Sequence, residues 1–211
     1  MIGGSHPVLM AIVGAGGARS AAEALRGGAD LVQVRAKDLS SRELATLVRE
    51  VIAETGRADR VLVNSRPDIA ELTGALGVHL PESGLDPRGV RRAFPRLLIG
   101  VSRHDRAGLE RAAEDNADFV MVGPAFETPG KEERALGVPR IGELLRGVDT
   151  PVLAVGGVAP QDVAALLAVG VRGIAAIRPF ADSADASMAA SSFRKALDQG
   201  GSREARGGEA V

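Results

Sequence analysis

Val152-Leu153-Ala154-Val155-Gly156-Gly157-Val158-Ala159-Pro160, continued through Gly170 to Gly173-Ile174-Ala175-Ala176-Ile177, is the stretch that decides the fold. Val152–Val155 is short and uniformly apolar, and a Gly-Gly turn ends it. Pro160 suits the first turn of a helix, Gln161–Val169 carries helical periodicity, and Gly170 is a natural C-terminal stop. Gly173–Ile177 then reads as the next strand. Strands that are apolar throughout, with no polar alternation, are those buried on both faces of a parallel sheet.

The same unit recurs towards the N-terminus. Val8–Val13, Leu31–Arg35, Val61–Asn64, Gly77–Leu80, Leu97–Val101 and Phe119–Gly123 read as strands and, with the two above, make eight. Between them, Ser41–Glu54 sets Leu44, Leu47, Val48 and Val51 at helical spacing, and Arg106–Asp115 follows the same logic behind the N-cap oxygens of Ser102 through Asp105. Eight βα units in 211 residues predict the α/β class and a single (β/α)8 TIM barrel over residues 1–198. A doubly wound sheet is the alternative, because strand order is invisible in sequence. The Gly-rich polar stretch 199–211 is expected to be a disordered tail.

Composition narrows the function. With 45% hydrophobic and 25% charged residues the chain has the balance of a globular protein, and 26 basic against 27 acidic residues give no pull towards nucleic acid or an anionic membrane. All five aromatics are Phe, too few for stacking single-stranded bases. The absence of Cys excludes disulfides, thiolate catalysis and thiolate metal sites, and fits a cytoplasmic location. No apolar run spans a bilayer, and the N-terminus lacks the pattern of a signal peptide. No HxH or HxxxH pair occurs, so a histidine-based metal site is not expected. Gly14-Ala15-Gly16-Gly17 does not complete a dinucleotide fingerprint: Arg19 stands at the third glycine, and Arg35 stands where an acidic residue would hold the ribose.

In a barrel of this type chemistry sits at the C-terminal strand ends. Those ends carry Gln33, Arg35 and Lys37; Asn64-Ser65-Arg66; His79 and Glu82; Ser102, Arg103 and His104; the loop Gly123 to Lys131; Gly156-Gly157; and Ile177-Arg178. Arg35, Lys37, Lys131 and Arg178 on one face point to an anionic ligand, a phosphate ester above all. Gly156-Gly157 offers backbone N–H groups without side chains beside the strand-eight end, although a tight turn alone also explains two glycines. For His79 a buried scaffold histidine outweighs a base, and His104 and Asp105 read equally as capping residues. Arg91, Arg92 and Arg96 read as a solvated helix face.

The strand ends resemble thiamine phosphate synthase and its TenI relatives, from about Leu9 to Phe193. Val32-Gln33-Val34-Arg35-Ala36-Lys37 is similar to the family's Q-x-R-x-K segment. Asn64-Ser65-Arg66-Pro67-Asp68-Ile69-Ala70 is similar to N-D-R-x-D-x-A, and Gly77-Val78-His79-Leu80 to G-x-H-L. Gly100-Val101-Ser102, Ala117-Asp118-Phe119 through Gly123-Pro124, and Val155-Gly156-Gly157-Val158 continue the series in order. The synthase joins a hydroxymethylpyrimidine diphosphate to a thiazole phosphate, with Mg²⁺ bridging the departing diphosphate. The resemblance puts its carboxylate ligands at positions occupied here by Ser65 and Gly84.

Leu80-Pro81-Glu82-Ser83 and Phe126-Glu127-Thr128 look instead like the TenI branch, associated with metal-free tautomerisation of a thiazole carboxylate phosphate. That branch's histidine after Gly123 is replaced by Pro124. The resemblance thus implies a thiazole phosphate held at the mouth, with tautomerase as the leading expectation and no cofactor. Glu127, His104 and Lys131 are then the catalytic candidates. Arg35, Lys37, Asn64, His79, Ser102 and Thr128 are the candidates for binding substrate, and Gly156, Gly157, Ile177 and Arg178 for binding the phosphate. The alternatives are an Mg²⁺-dependent synthase that recruits Glu82, Asp86 or Asp68, and a non-catalytic binder of thiazole or thiamine phosphates. Self-association is left open.

Overall fold

Every side chain of Val8–Val13 (β1), Leu31–Val34 (β2) and Phe119–Val122 (β6) is buried, and all but Gln33 are apolar, as the two-sided burial of a parallel sheet requires. The computed structural model describes residues 2, 6–128, 135–181 and 185–207, with the side chains of 202–207 excepted. Val61–Asn64 (β3), Gly77–Leu80 (β4), Leu98–Arg103 (β5), Val152–Val155 (β7) and Gly173–Ala176 (β8) complete the set. The eight strands form a closed parallel barrel in chain order, with β8 paired back to β1 through Val8 with Gly173 and Ala11 with Ala176. The doubly wound alternative is thereby excluded.

The helices follow the strands: Ala18–Arg26 (α1), Ser41–Thr55 (α2), Pro67–Thr73 (α3), Pro87–Ala93 (α4), Arg106–Glu114 (α5), Gly137–Leu145 (α6), Val163–Ala168 (α7), Arg178–Ala181 (α8) and Ala186–Gly207 (α9). α2 starts at a full capping box, Ser40 with Glu43, and ends at left-handed Gly56. Asp105 caps α5 by accepting from Gly108 N at 2.6 Å. Pro160 opens a 3-10 turn, Pro160–Asp162, so α7 begins two residues later than its periodicity suggests. β5 runs on past Val101 because Ser102 and Arg103 pair with Met121 and Val122 of β6. No helix among the described residues is long and apolar enough to cross a membrane.

Strand alternation divides the core. Met10, Ile12, Leu62, Phe119, Met121 and Leu153 fill the barrel interior, whereas Leu9, Val32, Val63, Val78, Ile99 and Val120 face the helices, including Leu44, Leu47, Val48 and Val51 of α2. The Phe119 ring fits inside because residue 100 on β5 is glycine: a Cβ there would lie 2.0 Å from the ring.

The lower rim is fastened by two similar carboxylate clips. Asp30, just before β2, accepts from Leu9 N of β1 at 2.8 Å and from Arg194 of α9 at 3.0 Å. Asp118, just before β6, accepts from Ile99 N of β5 and from Arg91 of α4, each at 2.6 Å. Arg91 therefore holds a helix to the barrel and is not part of a solvated face. α9 runs from Ala186 to Gly207, and along it Gly200 and Gly201 lie close against Leu167 and Pro7. Residues 208–211 lie outside the described residues.

Gly100→Ala puts a methyl group into the Phe119 ring and should destabilise the protein by roughly 1–3 kcal/mol, read from urea unfolding. Recovery in the double variant Gly100→Ala with Phe119→Leu checks that the collision is the cause.

Candidate functional site

The inward-facing parity of β2 to β5 continues upward into the candidate residues. Gln33 stands above Leu31, Asn64 above Leu62, His79 above Gly77, and Ser102 above Gly100 on the strand registers. Arg35 and His104 follow two residues after Gln33 and Ser102. The apolar interior thus gives way at the top to a polar layer on one half of the barrel.

Within that layer Gln33 Nε2 donates to Asn64 Oδ1 at 3.3 Å, and Asn64 Nδ2 donates to Ser65 Oγ at 2.8 Å. Ser102 Oγ and His79 Nε2 are 3.2 Å apart. His79 is buried and stacked on Phe119 with ring centroids 6.3 Å apart. Burial, with the Arg35 and Arg103 cations beside it, pushes the His79 imidazole down to about 4, so at neutral pH it is uncharged. Two buried polar atoms, Gln33 Oε1 and His79 Nδ1, have no hydrogen-bond partner among the described residues.

The upper loops bring a second group together. His104 Nδ1 lies 2.6 Å from Gly123 O, and His104 Nε2 lies 3.7 Å from Glu82 Oε2. His104 is therefore not a capping residue; Asp105 alone does that work. The sequence offered both members but no sign that they face each other, since they come from loops after different strands.

Gly156 and Gly157 have φ of +93° and +68°, and the β6 loop closes over them. A Cβ would lie 2.8 Å from Pro124 Cβ at Gly156 and 2.6 Å from Glu127 O at Gly157. Close approach of this loop is thus sufficient to require both glycines. Ile177 and Arg178 are exposed at the adjoining end of β8, and Lys37 and Glu127 are exposed as well. Thr128 is partly buried in the same loop as Glu127. Lys131 lies outside the described residues.

These positions can now be set beside known proteins. The profile of the family described as Thiamine monophosphate synthase matches residues 9–180. The chain belongs to that family. The thiamine-phosphate synthase of Anaeromyxobacter dehalogenans is 37% identical over 98% of this chain and 89% of its own length. That of Methanoculleus marisnigri is 36% identical, covering 81% of this chain and 83% of its own. The solved thiamine phosphate pyrophosphorylase of Pyrococcus furiosus superposes with a TM-score of 0.83 at 26% identity, covering 93% of this chain and 98% of that one.

The two-carboxylate Mg²⁺ site that the family pattern implies does not fit the residues present. Ser65 has a left-handed backbone, φ +65°, and its hydroxyl is engaged by Asn64. Gly84 donates to Pro81 O at 2.8 Å, and a Cβ at 84 would lie 2.9 Å from that oxygen, so the turn has no room for a carboxylate side chain. Asp68 is held in a two-pronged pair by Arg66 at 2.8 and 2.6 Å. Asp86 caps α4 through Gly89 N. Of the three carboxylates considered as substitutes, Glu82 alone stands in the mouth without such a structural duty.

The His79 shift has a thermodynamic consequence. The unfolded chain binds a proton near the ordinary value of 6.5 and the native chain only near 4, so stability falls as pH drops through that window. Between pH 7.5 and pH 5 the wild type should lose about 2 kcal/mol more than His79→Gln, measured by urea unfolding at both pH values.

Proposed function

We propose that this chain forms thiamine phosphate, joining a hydroxymethylpyrimidine diphosphate to a thiazole phosphate at the barrel mouth. The observation that carries this reading is the pair of buried, unpartnered atoms Gln33 Oε1 and His79 Nδ1. A buried polar atom without a partner costs on the order of 1–3 kcal/mol, so a ligand that satisfies it gains both affinity and orientation. A heterocycle bearing an amino group and ring nitrogens is the complement, and this describes the pyrimidine better than a thiazole phosphate alone. The names carried by the relatives support the same reaction.

Around that ring, Asn64 and Ser102 set the polar floor, and Arg35 and Lys37 supply positive charge for the diphosphate. The carbon–oxygen bond to the diphosphate breaks as the thiazole nitrogen bonds to the same carbon, and the leaving diphosphate carries the electron pair away. Arg35 and Lys37 stabilise that growing charge. Gly156, Gly157 and the Ile177-Arg178 end of β8 hold the thiazole phosphate, with Arg178 adding a cation at its rim.

A second reading, thiazole tautomerisation without a metal, is favoured by one observation: the missing carboxylates at Ser65 and Gly84. Its proton shuttle would be His104 or Glu127, with Lys131 pairing to the substrate carboxylate.

Incubation with both coupling substrates should give thiamine phosphate and diphosphate. Gln33→Leu should raise KM for the pyrimidine diphosphate by about 10- to 100-fold and leave KM for the thiazole phosphate unchanged. No coupling, with isomerisation of a thiazole carboxylate phosphate, transfers the assignment to the second reading. Tight thiazole phosphate binding with neither turnover makes the chain a binder. Arg178→Ser should weaken thiazole phosphate binding several-fold in calorimetry; unchanged or tighter binding shows that the arginine obstructs the pocket.

A further inference from the structure

Gly123, the residue after β6, is closely confined. A Cβ there would lie 2.0 Å from Val155 O of β7, and its own carbonyl oxygen lies 2.6 Å from His104 Nδ1 in the loop after β5. A carbonyl can only accept, so Nδ1 carries a proton and donates it. Among the described residues this is the one hydrogen bond of the imidazole, because Nε2 stands 3.7 Å from Glu82 Oε2, beyond hydrogen-bond distance.

From Gly123 the chain passes straight over the candidate phosphate site. Ala125 N donates to Val155 O at 2.9 Å and Phe126 N to Gly156 O at 3.0 Å. A Cβ on Gly157 would meet Phe126 O at 2.7 Å and Glu127 O at 2.6 Å. The far leg of the loop returns to the same stretch, with Leu136 N donating to Pro124 O and Gly137 N to Ala125 O. These bonds join the loop to β7 or to itself. The His104 bond ties its root to the β5 side.

We infer that His104 is a positioning residue for the thiazole phosphate. Through Nδ1 it pegs Gly123 to the end of β5 and so fixes residues 124–127 against Gly156 and Gly157. The role rests on those two glycines holding the thiazole phosphate, as proposed above. A loop free to shift by about 1 Å no longer presents them in a single arrangement, and misplacement on that scale is costly to a bound group. The role belongs to one atom of the ring. The amide nitrogen of Asn hangs from Cγ as Nδ1 does, whereas that of Gln stands one atom further out, as Nε2 does. Asn at 104 therefore keeps the donor to Gly123 O, and Gln does not. A proton shuttle working through Nε2 is replaced by neither amide.

The test compares the wild type with His104→Ala, His104→Gln and His104→Asn. Thiazole phosphate binding is measured by calorimetry, and exchange of the Ala125 and Phe126 amides by NMR. His104→Ala and His104→Gln should weaken binding about tenfold and speed both amides by a similar factor, while His104→Asn should stay within about threefold of wild type in both. Exchange at Gly108, capped by Asp105, should be unaltered throughout as the check on folding. Wild-type binding in His104→Ala, equal losses in His104→Asn and His104→Ala, or weakened binding with unaltered amide exchange each overturns the role. A wild type that binds no thiazole phosphate rejects the assignment of Gly156 and Gly157 and the role with it. Wild-type binding without thiamine phosphate formation rejects the coupling alone and leaves the role to the variants. Where coupling occurs, KM for the thiazole phosphate should follow the calorimetric order, with kcat and KM for the pyrimidine diphosphate unmoved; a fall in kcat restored by neither amide makes His104 catalytic instead.

Discussion

A strand buried on both sides has only two directions in which to point its side chains, and closure of the barrel makes one of them an enclosed interior. That period of two governs this molecule. On β2 to β5 the inward set starts as apolar packing around Phe119 and, one step higher, becomes Gln33, Asn64, His79 and Ser102. A one-residue slip in any of these strands would turn its polar residue out among the helices and bring an aliphatic one into the mouth. The site therefore depends on register before it depends on any contact of its own.

Register is enforced at the opposite end. The Asp30 and Asp118 clips each tie the start of one strand to a backbone N–H of its neighbour and to an arginine from an outer helix. Charged hydrogen bonds of this kind are stronger than neutral ones, and here they are only partly exposed. The clips lie at the rim opposite the candidate residues Gln33, Asn64, His79 and Ser102. The division suits a barrel in which one rim sets alignment and the other carries chemistry.

Most of the barrel was legible in the sequence because uniform apolarity and helical spacing are local properties. Strand boundaries shifted by one or two residues, as at Arg103, where pairing with β6 decided the end. The candidate site was half legible. Its polar residues could be read from strand ends, but their partners could not. Asp68 could not be known to be held by Arg66, nor Asp86 to be a helix cap, nor Gly84 to sit in a turn that excludes a side chain. Each is a contact between loops, and no periodicity records it. The close packing of Gly200 and Gly201 within α9 was not legible for a related reason. Two glycines usually signal a loop, yet at Gly200 and Gly201 their smallness is what lets the helix lie against Leu167 and Pro7.

The losses at 65 and 84 then have a physical reading that composition alone could not supply. On the proposed coupling, with Ser65 and Gly84 where two carboxylates would hold Mg²⁺, the charge of the departing diphosphate falls to the side-chain cations of the mouth, Arg35 and Lys37 among them. The turn at Pro81–Gly84 that excludes a carboxylate at 84 also presents Glu82 towards His104.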